Sequence, residues 1–183
     1  MRRILLVIWE TIEVAVISLA VVLVVRNFLI QPFFVDGDSM IPNFHNGDYL
    51  IVDELSYRFR SPERGEVIVF HPPQNPGNYY IKRVIGLPGE TVQIKNGQIS
   101  VLNNEHPEGF ILSEDYIHNI KTSGDAVWKL AGGQYFVLGD NRYMSFDSRT
   151  WGVLPQNNIV GVVRLRIWPI MTAQAFTVPQ YNY

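Results

Sequence analysis

Apolar and polar positions are distributed very differently at the start of the chain and over the rest of it. Residues 4–25 read ILLVIWETIEVAVISLAVVLVV, an almost unbroken apolar run between Arg2-Arg3 and Arg26. At a 1.5 Å rise per residue a helix of that length extends about 33 Å, enough to cross the ~30 Å hydrocarbon core of a bilayer. Glu10 and Glu13 interrupt its first half, and a carboxylate at mid-bilayer is costly. The uncharged stretch 14–25 offsets that cost, and a span displaced toward Phe34 leaves both glutamates near the headgroups. A cleaved signal peptide is the poorer reading. Ser18 and Ala20 have the spacing of a cleavage site, but five apolar residues follow Ala20, where the apolar stretch should already have ended. A helix lying flat on a membrane needs a wider polar face than two glutamates and a threonine. One N-terminal transmembrane helix is therefore expected, with the N-terminus in the cytoplasm on the weak charge vote of Arg2 and Arg3 against Arg26.

From residue 46 onward the pattern is that of strands. Residues 48–54 (DYLIVDE), 66–71 (EVIVFH) and 79–87 (YYIKRVIGL) are short, rich in β-branched and aromatic residues, and bounded by Gly, Pro or Asn. Residues 90–95 and 98–102 flank Asn96-Gly97, a dipeptide that supplies the two positive φ angles of a type I′ hairpin turn. Further strands are expected at 126–130, 134–138 and 159–168. No segment after the anchor sustains a 3.6-residue apolar period. Stretches 71–78 and 103–109 are rich in turn-forming residues and read as loops, and 103–124 is the least regular part. The fold class expected is mainly β, antiparallel and barrel- or sandwich-like. The apolar segment 28–35 (FLIQPFFV) reads either as core or as a surface that beds into the bilayer.

Composition narrows the function without naming it. The 183 residues are 47% hydrophobic and 17% charged with a net charge of −2, which excludes a disordered chain and fits one compact domain plus an appendage. No basic face or run appears, so no nucleic-acid partner is expected. With no cysteine, disulfides, zinc-thiolate sites and a cysteine nucleophile are all excluded. His45, His71, His106 and His118 lack metal-ligand spacing, and no metal or other cofactor is expected.

The search for chemistry then turns to serine. No Gly-x-Ser-x-Gly elbow is present, nor the alternating β/α pattern it needs. Ser39 lies between Gly37 and Pro42, a tight segment in which its hydroxyl and N–H can both face a cleft. Lys82 sits inside the apolar strand Tyr80-Ile81-Lys82-Arg83-Val84-Ile85. It can point to solvent; if it faces inward with Tyr80 and Val84, desolvation lowers its pKa. Residues 139–152 (GDNRYMSFDSRTWG) follow an apolar strand and suit either a surface turn or a hydrogen-bonded scaffold beside an active site.

Together these segments resemble the type I signal peptidases. Ser39-Met40-Ile41-Pro42 resembles the nucleophile motif, and Gly47-Asp48-Tyr49-Leu50-Ile51-Val52 the box after it. Lys82-Arg83-Val84-Ile85-Gly86-Leu87-Pro88-Gly89-Glu90 resembles the general-base motif, and 139–152 the last box. Four boxes in order cover most of the chain. The resemblance implies a membrane-bound serine endopeptidase with a Ser-Lys dyad. Ser39 would be the nucleophile and Lys82 the general base. Ser145 would hydrogen-bond the Lys82 amine, Asp147 would pair with Arg149, and Asp140 with Arg83. Met40, Tyr80 and Ile81 would line the substrate cleft. The substrates implied are signal-peptide-bearing preproteins cut after a small-x-small sequence such as Ala-x-Ala, bound as an added strand.

The same resemblance implies a cytoplasmic tip and anchor at 1–27 and an extracytoplasmic peptidase domain at 28–183. The domain would comprise a catalytic core at about 35–89 and 134–170 and a smaller inserted β region at about 90–133. The membrane would be the plasma membrane, or a thylakoid membrane where the source has one. Two departures stand out. Asn43 follows the motif proline where threonine is usual, and Gly37 occupies a position where many members carry an oxyanion-hole serine, leaving the Ser39 N–H as the identified donor. Two other readings exist. A self-cleaving Ser-Lys protease of the SOS-repressor type calls for a DNA-binding helix-turn-helix where this chain has its apolar span. An inactive bitopic binding protein is at odds with intact Ser39 and Lys82.

Overall fold

The computed structural model describes residues 2–28, 30–179 and 181, with the side chains at 4, 5, 21–28 and 30 outside the description. Helix α1 runs Arg2–Phe28. Its side chains from residue 6 to residue 20 are all exposed, Trp9, Val14 and Leu19 among them. The span expected over 4–25 is thus helical in its backbone, but part of the run that supports it, 21–25, falls outside the described side chains. Among the described residues no helix is long and apolar enough to cross a membrane.

The rest of the chain is mainly β and antiparallel, as its alternation and turn residues lead one to expect. Strands β1 (Ile30–Phe34), β2 (Tyr49–Asp53), β3 (Val67–Phe70), β4 (Tyr80–Gly86), β9 (Gln134–Leu138), β10 (Leu154–Pro155), β11 (Ile159–Trp168) and β12 (Gln174–Ala175) form one sheet. Its order is β1-β2-β11-β3-β4-β9-β10, with β12 on β11. Strands β5 (Thr91–Lys95), β6 (Gln98–Leu102), β7 (Phe110–Ile111) and β8 (Ala126–Lys129) form a second sheet in the order β7-β6-β5-β8. A four-residue helix, α2 (Ser148–Trp151), follows β9. The β5–β6 connection has Asn96 at φ 53° and Gly97 at φ 83°, the two left-handed angles a type I′ turn requires.

An uninterrupted apolar strand must be covered on both faces, and β3 is. Val67 and Val69 pack with Val35, Met40, Phe44, Leu50, Val52 and Val163. Ile68 and Phe70 pack on the other side with Val84, Tyr135, Val137 and Leu154. A third cluster joins the sheets, with Ile85, Phe136 and Leu138 against Val92, Ile94 and Ile99. Each such side chain contributes about 1.5–3 kcal/mol on burial. Segment 28–35 belongs wholly to neither reading: Val35 is core and Phe33 half-buried, while Phe34 is 55% exposed.

The register leaves two strand edges open. Strand β4 pairs with β3 along Tyr80–Arg83, but β9 meets it only from Arg83 onward. Tyr80, Ile81 and Lys82 therefore present an unpaired edge on that side. Strand β1 pairs with β2 alone among the described residues, so its other edge is open as well.

Candidate active site

A cleft of about 640 Å³ lies between residues 33–39 and 78–82. Leu50 and Val69 contribute to its lining, as do Met144 and Phe146. Ser39 enters from the turn after β1, where Phe44 N–H donates to Met40 O at 2.9 Å and Asn43 N–H donates to the same oxygen at 3.0 Å. Lys82 enters from β4. The Lys82 Nζ lies 2.7 Å from Ser39 Oγ and donates to the Ile81 carbonyl at 2.8 Å. The lysine is 3% exposed. Burial pulls its pKa down to about 8, against the opposing pull of the Asp147 and Asp140 carboxylates. Of the two orientations the sequence leaves open for Lys82, the inward one is realised. A neutral amine in this position can accept the Ser39 proton.

Residues 139–141 brace the nucleophile from behind. Asn141 N–H donates to Ser39 O at 3.1 Å, and its Nδ2 donates to Asp38 O at 3.0 Å. Gly139 passes so close that a Cβ there would stand 2.4 Å from Ser39 O and 2.1 Å from Ser145 Oγ, which only glycine avoids. Asp147 holds this loop. One of its oxygens accepts from Gly139 N–H at 3.0 Å, and the same oxygen takes Arg149 Nη2 at 2.8 Å. Its other oxygen accepts from Arg149 Nε at 2.8 Å and caps α2 through Arg149 N–H at 3.3 Å. Behind β4, Arg83 grips Asp140 with two bonds, Nε to Oδ1 at 2.9 Å and Nη2 to Oδ2 at 2.6 Å.

The structure brings Ser39, Lys82, Asp147, Arg149, Arg83 and Asp140 together. Tyr80 and Ile81 line the cleft beside them. Two expectations come out differently. Ser145 makes no hydrogen bond to the amine; its Oγ is buried against Gly139 without a partner among the described residues. Met40 is absent from the cleft wall and 1% exposed, because its side chain turns into the core, where its Sδ accepts from Asp140 N–H at 3.5 Å. Sequence reasoning passed over Phe33, Tyr79, Met144 and Phe146 on the cleft and Asn141 behind it. Asn141 lies inside the 139–152 segment, so its motif carried the signal; a lone aromatic before a strand carries none.

A family model described as signal peptidase, peptidase S26, matches residues 8–168. A probable signal peptidase I-1 from Synechocystis sp. is 39% identical over 87% of this chain and 82% of its own length. A signal peptidase I from Leptolyngbya laminosa is 41% identical over 88% of this chain and 80% of its own. A crystal structure of a signal peptidase I from Enterococcus faecalis V583 is 35% identical, covering 56% of this chain and 97% of that one with a TM-score of 0.48.

Proposed function

Since this chain belongs to the signal peptidase family, peptidase S26, we propose that it removes signal peptides from secreted preproteins with Ser39 as nucleophile and Lys82 as general base. The observation that carries the assignment of residues is the 2.7 Å contact between Lys82 Nζ and Ser39 Oγ in a buried setting. Ser39 Oγ gives its proton to the neutral amine as it attacks the scissile carbonyl; the amine passes that proton to the leaving nitrogen as the C–N bond breaks, and water then hydrolyses the acyl-enzyme. The protonated amine keeps the Ile81 carbonyl as an acceptor at 2.8 Å. The Ser39 N–H has no acceptor among the described residues, which leaves it free for the oxyanion. Gly37 adds no hydroxyl to it.

The open edges of β1 and of Tyr80–Lys82 border one cleft, so an extended peptide fits there as an added strand. The β5–β8 sheet is the insertion between two halves of the catalytic core. Helix α1 is a single transmembrane anchor with its N-terminus in the cytoplasm and the β domain outside, in the plasma membrane or a thylakoid membrane. Its apolar side chains from residue 6 to residue 20 are exposed among the described residues, which supports that reading. The test is mass-spectrometric cleavage of a preprotein peptide carrying Ala-x-Ala. The full-length protein in detergent should cut once, after the second alanine, and Ser39→Ala should not cut at all. Absence of cleavage by the wild type would remove the activity, and cleavage by Ser39→Ala would remove the nucleophile.

A further inference from the structure

Asn43 directly follows Pro42 in the turn that carries Ser39, and its side chain uses both of its amide hydrogens. One goes from Nδ2 to Asp140 Oδ2 at 2.8 Å and the other to the Tyr116 carbonyl at 2.9 Å. A threonine hydroxyl has one hydrogen to give and can hold only one of these acceptors. The backbone of Asn43 is tied too. Its N–H helps close the turn behind Ser39, and its carbonyl accepts from Arg166 Nη1 at 2.9 Å, the same nitrogen that pairs with Asp48 at 2.9 Å.

The two acceptors belong to different parts of the molecule. Asp140 sits beside Gly139 and Asn141, which brace Ser39, and is held by Arg83, the neighbour of Lys82 in β4. Tyr116 comes from the short turn Asp115–Ile117 in the irregular stretch between β7 and β8. Its ring lies 4.1 Å under the Arg83 guanidinium, and its hydroxyl donates to Glu114 at 2.5 Å. Glu114 takes both Arg142 Nη atoms at 2.5 and 2.6 Å, and Arg142 Nε donates to Gly139 O at 3.0 Å. The path from Asn43 through Tyr116, Glu114, Arg142 and Gly139 to Asp140 thus closes on Asn43 again.

We propose that Asn43 is a positioning residue that latches the turn carrying Ser39 to the loop around Tyr116, so that the Ser39–Lys82 contact depends on a segment remote in sequence that does not line the cleft. The proposal rests on the dyad reading above. Within the ring the second amide hydrogen of Asn43 is what joins the nucleophile's turn to the Asp115–Ile117 turn. Without it the turn keeps its own backbone bonds but loses its lateral reference, and a displacement of about 1 Å at a reacting atom can cost ~10²-fold in rate.

The experiment compares wild type, Asn43→Ala, Asn43→Thr, Tyr116→Phe and the Asn43→Ala/Tyr116→Phe pair, all full length in detergent. Peptide cleavage is read as separate kcat and KM, and amide hydrogen exchange is followed over 38–44 and 113–124. Asn43→Ala should lower kcat about tenfold with KM within about twofold, in protein that still melts above the assay temperature. Asn43→Thr should fall between it and wild type. Tyr116→Phe, which removes the hydroxyl that donates to Glu114, should lower kcat on its own and add nothing to Asn43→Ala, the signature of residues acting as one unit. Exchange should quicken in both segments together in Asn43→Ala. Unchanged kcat, additive losses, or faster exchange in 38–44 alone would each overturn the latch. The exchange arm decides even if the wild type proves not to cleave, and a wild type that cleaves as well as Asn43→Ala removes the latch and leaves the dyad standing.

Discussion

Lys82 enters the cleft with 3% of its surface exposed and a Ser39 hydroxyl as its nearest side-chain partner. A free lysine with a pKa of ~10.4 is neutral in only about one molecule in ~2,500 at pH 7. With the pKa drawn down to about 8 by burial, roughly one in ten is. The rate of peptide cleavage should therefore rise with pH through an ionisation near 8 and level off above it. Lys82→Arg should be inactive across that range, because a guanidinium keeps its proton; a profile without that ionisation, or turnover by Lys82→Arg that still requires Ser39, would assign the base elsewhere. The same shift has a price in stability. Below pH 8 the folded and unfolded chains both hold the proton, and the penalty of burying the charge stands in full, on the order of 3 kcal/mol for a displacement from 10.5 to about 8. Between about 8 and 10.5 the unfolded chain still binds the proton that the folded one has released, so stability climbs with pH. Denaturant titrations should find Lys82→Met more stable than wild type at pH 7, with the gap closing as pH rises through that window. A constant gap would mean that the lysine is not desolvated.

At the scale of elements, period-two alternation and turn chemistry carried most of the information. The strand expected at 134–138 is β9, the one at 159–168 is β11, and the Asn96-Gly97 hairpin has the angles its residues demand. What escaped was set by partners distant in sequence. Ile30–Phe34 (IQPFF) is too short and, with Pro32 at its centre, too poor in strand signals to show a period, and became a strand by pairing with β2. Phe110–Ile111 and Leu154–Pro155 are two-residue strands, defined by their neighbours rather than by any pattern of their own. The site shows the same division. Ser39, Lys82 and the acid–arginine pairs sit in short motifs whose spacing can be read, whereas Glu114 and Tyr116 lie in an irregular polar stretch with nothing local to mark them. The inward turn of Met40 is likewise a packing outcome, fixed by Phe44, Leu50 and Val163 around it. The hairpin offers a test at this scale. Gly97 has φ 83°, and a Cβ there would meet Lys121 Cβ at 3.0 Å. Gly97→Ala should cost about 1 kcal/mol or somewhat more in a thermal or urea melt while leaving peptide cleavage near the wild-type rate. A loss of activity larger than the loss of folded protein would mean that the β5–β6 turn reaches the site.

For the molecule as a whole, α1 and one end of the large sheet are two places where the described residues leave apolar side chains uncovered. Phe34 faces Tyr49 across β1 and β2, with ring centroids 5.2 Å apart, and Tyr49 faces Trp168 across β2 and β11. All three are exposed, and Ile170 and Met171 just beyond are 72% and 92% exposed. Phe34 also lines the cleft. A row of aromatic and aliphatic side chains of this kind suits the boundary between headgroups and acyl chains, where one side of a tryptophan is wet and the other is not. On the proposed reading of α1 as an anchor, the stretch 26–38 alone separates the expected end of the span from Ser39. The absence of cysteine makes the arrangement measurable, since one introduced thiol is the only one present. Met171→Cys and Glu105→Cys, the latter on an exposed loop of the β6–β7 connection, can be labelled with an environment-sensitive fluorophore in the full-length protein in vesicles. The probe at 171 should shift to the blue and be quenched by lipids carrying a quencher on the acyl chain, while the probe at 105 stays in water. In intact spheroplasts a membrane-impermeant thiol reagent should modify the Glu105→Cys protein without lysis. Equal quenching at both positions would remove the bilayer-facing row, and modification of the Glu105→Cys protein only after lysis would put the β domain on the cytoplasmic side.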